Sequence, residues 1–180
     1  EDPDRGFSFL IDAPLDMRFD QRTGLTAADV LNSWSADRLT KKIQEYGQER
    51  LAADIVREII AVRQKQKITH TKQLTEAILL AYRKKLKSNR EVPWIGGTHP
   101  ATRTFQALRL IVNDELHELE AVLPQAVDML AAGGRIAVIS FHSLEDRIVK
   151  TFLKTAARGC VCPPELPVCI CGHRPVLRLL

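Results

Sequence analysis

Between residues 49 and 86 the apolar side chains return every three or four positions, the spacing of helices that each bury one face. Leu51, Ile55, Ile59 and Val62 draw one stripe over about 49–65. Leu74, Ala77, Ile78, Ala81 and Tyr82 draw a second, on a helix opened by Thr69 or Thr71. Upstream, Thr26-x-x-Asp29 is a capping box that starts a short helix ending near Asn32, with Trp34 as its apolar anchor. A helix from Ser35 to about Tyr46 comes next, and Gly47 is its expected C′ residue. Residues 1–24 carry no periodicity; rich in Asp, Pro and Gly, with Phe7, Phe9 and Phe19 among them, they predict an ordered connector without regular structure. Pro93 and Gly96-Gly97 mark a loop over 88–97.

The pattern changes after residue 100. A long helix is expected from Ala101, with Phe105, Leu108, Val112, Leu116 and Leu119 inward. Pro124 should break or kink it, because proline cannot donate the ladder hydrogen bond, and Gly133-Gly134 should end it past Leu130. Arg135 to Ser140 is an apolar, β-branched run suited to a buried parallel strand. Ser143-x-x-Asp146 reads as a second capping box, opening a helix from Leu144 to about Ala157. Helix, Gly-Gly, strand, loop, helix is half of a doubly wound α/β layer. The fold expected is therefore α/β in class yet mostly helical, with a connector at 1–24, an all-α unit at 25–92 and a sheet-bearing part at 93–180. The chain opens on Glu1 and its last apolar run reaches Leu180, which fits a segment trimmed from a longer protein.

Composition narrows the class. A hydrophobic content of 45% suffices for a core and excludes a disordered chain. No apolar run approaches the ~18 residues of a membrane span, and no signal peptide is visible. The net charge of +4 conceals an asymmetry. Asp37 to Arg90 holds 14 Lys or Arg against 6 Asp or Glu, leaving the remainder net negative. A basic segment on an acidic body points to a polyanion partner, or simply to a solvated helical face. Arg83, Lys84, Lys85 and Lys87 crowd one helix end, where cations also favour the helix dipole.

Candidate chemistry gathers at three places. In open α/β sheets ligands sit beyond the carboxyl ends of the strands, so Ser140, His142 and Ser143 are candidate catalytic residues, or merely a cap and a loop. A serine hydrolase is excluded by the lack of a Gly-x-Ser-x-Gly elbow, and no Gly-x-Gly-x-x-Gly lies between a strand and a helix. Arg103 and Arg109 lie six apart and so on different sides of one helix. They are either phosphate contacts or partners of acidic residues such as Asp114 and Glu115. His99, before Pro100, is a loop residue at the helix start. Cys160, Cys162, Cys169 and Cys171 form two Cys-x-Cys pairs within twelve residues. They suit one tetrahedral zinc ion, or are free surface thiols.

Four runs carry a resemblance: Arg5-Gly6-Phe7-Ser8-Phe9, Pro14-Leu15-Asp16-Met17-Arg18, His99-Pro100-Ala101-Thr102-Arg103 through Arg109, and Ser140-Phe141-His142-Ser143-Leu144-Glu145-Asp146-Arg147. In this order they resemble the ribosomal RNA small-subunit methyltransferase H (MraW) family. The resemblance implies an S-adenosylmethionine-dependent enzyme that methylates the exocyclic N4 of a cytosine in small-subunit ribosomal RNA. Its fold would be a Rossmann-like methyltransferase domain, present here in its C-terminal part, with 25–92 an inserted all-α RNA-recognition domain. Ser140, His142 and Ser143 would neighbour the reaction cleft. Phe7, Asp16, His99, Arg103, Arg109, Lys84 and Lys85 would contact the substrate. The family's glycine-rich donor loop would lie upstream of Glu1, so no donor-binding residue is assigned and the chain alone would be inactive. A stand-alone RNA-binding or ribosome-assembly module without catalysis is the competing reading. Expected partners are small-subunit ribosomal RNA or the immature small subunit, together with a second copy of the chain docked on exposed apolar surface. The expected setting is the bacterial cytoplasm, with an organelle as the other option.

Overall fold

A computed structural model describes residues 3–87, 97–163, 166 and 168–179. Among them lie a 3₁₀ turn at Pro3–Arg5 and the helices α1 (Ala27–Ser33), α2 (Ala36–Gly47), α3 (Ala52–Arg63), α4 (Thr71–Leu86), α5 (Thr102–Asn113), α6 (Glu115–Asp128) and α7 (Ser143–Ala156). The loop expected at 88–97 falls almost wholly outside the described residues. The chain divides into two compact units, Glu1–Asp114 and Glu115–Leu180. The sequence pattern places a division at 92/93; α5 accounts for the difference, since it belongs to the first unit.

In the first unit α2 packs against α3 and α5, α3 against α4, and α1 against α5. The core is aliphatic, with Leu15, Leu31, Leu39, Ile43, Ile55, Ile59, Ile68, Leu74, Ile78 and Leu108 fully buried. The expected α4 face is buried in full. On α3, Ile55 and Ile59 are inward, joined by Ala52 and Val56, whereas Leu51 and Val62 stay half-exposed. Fully burying one such side chain contributes about 1.5–3 kcal/mol.

Thr26 caps α1 as expected: its hydroxyl accepts from the Asp29 amide at 3.0 Å, and the Asp29 carboxylate accepts from the Thr26 amide at 3.0 Å. The end of α2 differs from expectation. Gln48, not Gly47, takes the left-handed conformation (φ 50°). Gly47 serves packing instead, because a Cβ there would stand 2.5 Å from the Arg103 carbonyl oxygen on α5. Neither Thr69 nor Thr71 is the N-cap of α4; that position is His70, and Gln73 reaches back to accept from the amides of Thr69 and His70 at 2.8 and 3.0 Å.

The connector is stitched to the helices by its backbone. Leu15 N–H donates to Thr69 O at 2.8 Å, Thr71 N–H to Ala13 O at 2.9 Å, and Met17 N–H to Arg5 O at 2.9 Å. Gly6 is required where it stands: it has φ +81°, and a Cβ would meet Pro14 O at 2.5 Å.

The long helix expected from Ala101 is interrupted at Asp114, which adopts φ 49°, and not at Pro124, which sits inside α6. The cause is Asn113: its Nδ2 donates to Met17 O at 2.7 Å and to Arg109 O at 3.0 Å, and its Oδ1 accepts from Phe19 N–H at 2.7 Å.

In the second unit α6 packs on α7. Leu123, Val149 and Ala156 are its buried apolar residues among those described. The strand expected at 135–140 does not form among the described residues, and neither does a sheet; the isolated bridge between Pro14 and His70 belongs to the first unit. A strand exists only by exchanging hydrogen bonds with a neighbour, and the described residues offer 135–140 none. Residues 133–138 and 176–179 instead line an open cavity of about 680 Å³, with Leu153 in its wall. The described chain is mostly helical, as expected, and the sheet of the α/β expectation is not seen among the described residues. The exposed apolar surface is present: Ile139, Phe141 and Ile170 are 83, 90 and 78% exposed. Among the described residues no helix is long and apolar enough to cross a membrane.

Candidate functional site

Three of the four motif runs meet in the first unit. Gly6 lets the chain double back on Pro14, and Met17 N–H bonds Arg5 O, so the first two runs lie side by side. The Arg5 guanidinium donates to the Arg18 carbonyl. Arg18 in turn forks onto Asp16, with Nε to Oδ1 at 2.8 Å and Nη2 to Oδ2 at 2.9 Å. The Arg18 fork holds the Asp16 carboxyl below the usual carboxylate range, so it stays ionised.

The third run joins through aromatic rings. The imidazole of His99 stacks on Phe9, with centroids 4.4 Å apart and planes 9° from parallel, and Phe105 meets Phe9 edge-on at 5.7 Å. His99 Nδ1 accepts from the Ala101 amide at 3.1 Å, which fixes the turn into α5. Burial lowers the His99 imidazole below its ordinary range, favouring the neutral ring. Beside it, Phe7 and the exposed Phe19 stack at 5.7 Å, and the Arg5 guanidinium lies 5.7 Å over Phe7. Flat rings flanked by guanidinium groups suit stacking of unpaired bases. Phe9 links the first run to the third, a role no spacing rule could find for residues so far apart in the chain.

A second feature is a basic end. The start of α3, the end of α4 and the start of α5 come together around Glu49, whose Oε2 accepts from Tyr82 OH at 2.9 Å. Burial and the Glu49 charge push the Tyr82 phenol well above its ordinary range. Arg103 Nη1 donates to Gln48 O at 3.0 Å, capping the end of α2. Lys84 is paired with both oxygens of Glu58 at 2.7 and 2.8 Å. Arg50, Lys85 and Lys87 are exposed there. Arg109 is half-buried on α5. Part of the basic surplus is consumed internally: Arg63 Nη1 donates to Leu31 O and Trp34 O at 2.7 Å, and Arg38 lies 3.5 Å over the Trp34 ring.

The fourth run lies in the second unit. His142, not Ser143, is the N-cap of α7. Its Nδ1 accepts from the Glu145 amide at 3.4 Å, and Glu145 Oε2 accepts from the amides of Phe141 and His142 at 2.8 and 3.3 Å. The capping box is therefore His142–Glu145, one residue before the expected Ser143–Asp146. Glu145 gains two orphan amides that way, and Asp146 pairs with Lys150 at 2.9 Å. His142 Nε2 is shut from solvent, 3.4 Å from Glu145 Oε1. Ser140 is half-buried and Ser143 exposed. At the far end of the unit, the sulfur atoms of Cys160, Cys162, Cys169 and Cys171 converge within 4.8 Å of one another.

Among the described residues, Gly133 and Gly134 lie in the wall of the open cavity, Gly133 with nothing within 4 Å of where a Cβ would stand and Gly134 against Ala131 O at 2.8 Å.

A family profile described as "MraW methylase family" matches residues 1–180. Among curated proteins the chain is 53% identical over 179 residues to "Ribosomal RNA small subunit methyltransferase H" of Thermomicrobium roseum, covering 99% of this chain and 52% of the relative. It is 51% identical over 181 residues to the protein of the same name in Solidesulfovibrio magneticus, covering 100% and 54%. The match to the one in Thiobacillus denitrificans is 52% over 168 residues, covering 93% and 51%. The chain thus spans about half the length of the curated relatives it matches.

Proposed function

This chain belongs to the MraW methylase family, and from that premise we propose that it is the RNA-engaging part of an enzyme that methylates small-subunit ribosomal RNA. The acceptor is N4 of a cytosine and the donor is S-adenosylmethionine. The observation that supports this reading is the match along 99–100% of the chain to proteins named as small-subunit ribosomal RNA methyltransferases. The donor supplies the methyl group when bound; the described residues of this chain bind and orient RNA.

The proposed roles are assigned residue by residue. Phe7 and Phe19 offer a stacked, half-open aromatic surface for an unpaired base. Asp16, kept ionised by Arg18, fixes the stretch of chain that carries Phe19. His99 acts through its stack on Phe9 and positions the start of α5. Lys85 and Arg109 take backbone phosphates; Arg103 and Lys84, already bonded to Gln48 and Glu58, contribute positive potential more than direct contact. Within the second unit, Ser140 and Ser143 flank His142, which caps α7 and holds their loop to it. A polar acceptor there would hold the cytosine amine as it loses a proton, and proximity supplies most of the rate.

The test is direct. Small-subunit ribosomal RNA is titrated into this chain, and methyl transfer is measured in a relative-length protein carrying Phe7→Ala or Lys85→Ala. Binding by the chain, and loss of transfer at the cytosine amine in both variants, is expected. No RNA affinity above that for a random RNA, or full transfer by both variants, would refute the proposal.

A further inference from the structure

We propose that Cys160, Cys162, Cys169 and Cys171 form a tetrathiolate site for one zinc ion. A tetrahedral zinc with Zn–S of about 2.3 Å sets its sulfurs about 3.8 Å apart. The sulfur separations here are 3.4 Å (Cys160–Cys169), 3.5 Å (Cys169–Cys171), 3.9 Å (Cys171–Cys160) and 4.0 Å (Cys162–Cys169). These bracket the tetrahedral edge and are far longer than the ~2.05 Å of a disulfide. All four are free thiols. Two loops, each presenting a Cys-x-Cys pair, thus converge on one point.

The surroundings are those of a ligand set. The Cys162 amide donates to Cys160 Sγ at 3.4 Å and the His173 amide to Cys171 Sγ at 3.5 Å, a two-residue offset in both loops. Amides aimed at sulfur stabilise the thiolate and orient it toward a cation. His173 itself is not a ligand: its Nε2 lies 3.1 Å from Thr155 O on the last turn of α7. The Val176 amide donates to Ala156 O at 2.9 Å, so the second loop is fastened to the end of α7 on its far side too.

The unit also has a structural use for a metal. Its buried apolar residues among those described are Leu123, Val149 and Ala156, a core too small to order two exposed loops. On binding, each thiol releases its proton to solvent and its sulfur lone pair forms a bond to the cation. A tetrahedral all-sulfur set suits zinc or iron; zinc, which needs no redox partner, is the ion assigned.

The chain is prepared under reducing conditions, and zinc and iron are quantified by mass spectrometry before and after zinc reconstitution. One zinc per chain is expected, with four thiols unreactive to a thiol reagent until a chelator is added. Cys169→Ser should lower retained zinc at least tenfold, whereas His173→Ala should keep it. Titration of cobalt into the apo chain gives a second readout that does not depend on the variants folding, namely the strong visible absorption of a tetrahedral cobalt thiolate. Less than a tenth of a zinc per chain after reconstitution, iron in its place, zinc retained by Cys169→Ser, or two disulfides that persist under reduction would each overturn the assignment.

Discussion

The imidazole of His99 lies flat on the phenyl ring of Phe9, 4.4 Å between centroids, and so joins the first and third motif runs across ninety residues. Burial holds that imidazole below its ordinary value. The unfolded chain therefore binds more protons than the folded one just below the free value of about 6.5. Stability should be full above that pH and fall as pH drops toward the folded value. Urea midpoints between about pH 5 and 8 would measure this, and His99→Gln should flatten the fall. A midpoint that rises on acidification would contradict it.

Gly47 and Gln48 should respond in opposite directions. Gly47→Ala pushes a methyl to within 2.5 Å of the Arg103 carbonyl and should cost about 1–3 kcal/mol. Gln48→Gly, at φ 50°, relieves a left-handed residue and should be neutral or stabilising by up to about 1 kcal/mol. Denaturant midpoints of the two variants decide it.

Adjacent lysines on α4 separate stability from RNA affinity. Lys84→Ala strands the buried Glu58 carboxylate and should cost about 1–3 kcal/mol of folding stability. Lys85→Ala should leave stability unchanged and lower the salt dependence of RNA binding by about one unit of log–log slope. Equal salt slopes in Lys85→Ala and the parent chain would remove Lys85 from the interface.

Asn113→Ala deletes bonds to Met17, Arg109 and Phe19 together. A loss of about 1–3 kcal/mol is expected in chemical denaturation. The variant should also free Phe19 from Phe7, which a fluorescent base analogue in bound RNA would register as weaker stacking.

Local signals were legible where one short stretch of chain decides the outcome. Thr26 and Asp29 cap a helix on their own, and the α4 face follows from spacing alone. Gly47 was misleading because a glycine after a helix suggests a cap, while here the constraint comes from Arg103, fifty-six residues away. Pro124 was misleading in the same way: the break is made earlier, by the long-range bonds of Asn113. The run Arg135–Ser140 has the composition of a strand, but composition cannot supply the neighbour that a strand needs. Of the candidate site, the motif runs and the cysteine pairs could be read directly. The meeting of Phe9 with His99, and the diversion of Arg103 and Lys84 to Gln48 and Glu58, could not, since both depend on contacts distant in sequence.

The strap from Ala13 to Ala28 carries a last consequence. For much of its length it has no helix or ladder, yet the amides of Leu15, Met17, Ala27 and Ala28 are all donated to backbone carbonyls, and the Leu15 and Met17 side chains are 1 and 0% exposed. In a hydrogen–deuterium exchange time course the Leu15, Met17, Ala27 and Ala28 amides should therefore persist alongside the α3 and α4 amides, outlasting the ends of the helices themselves.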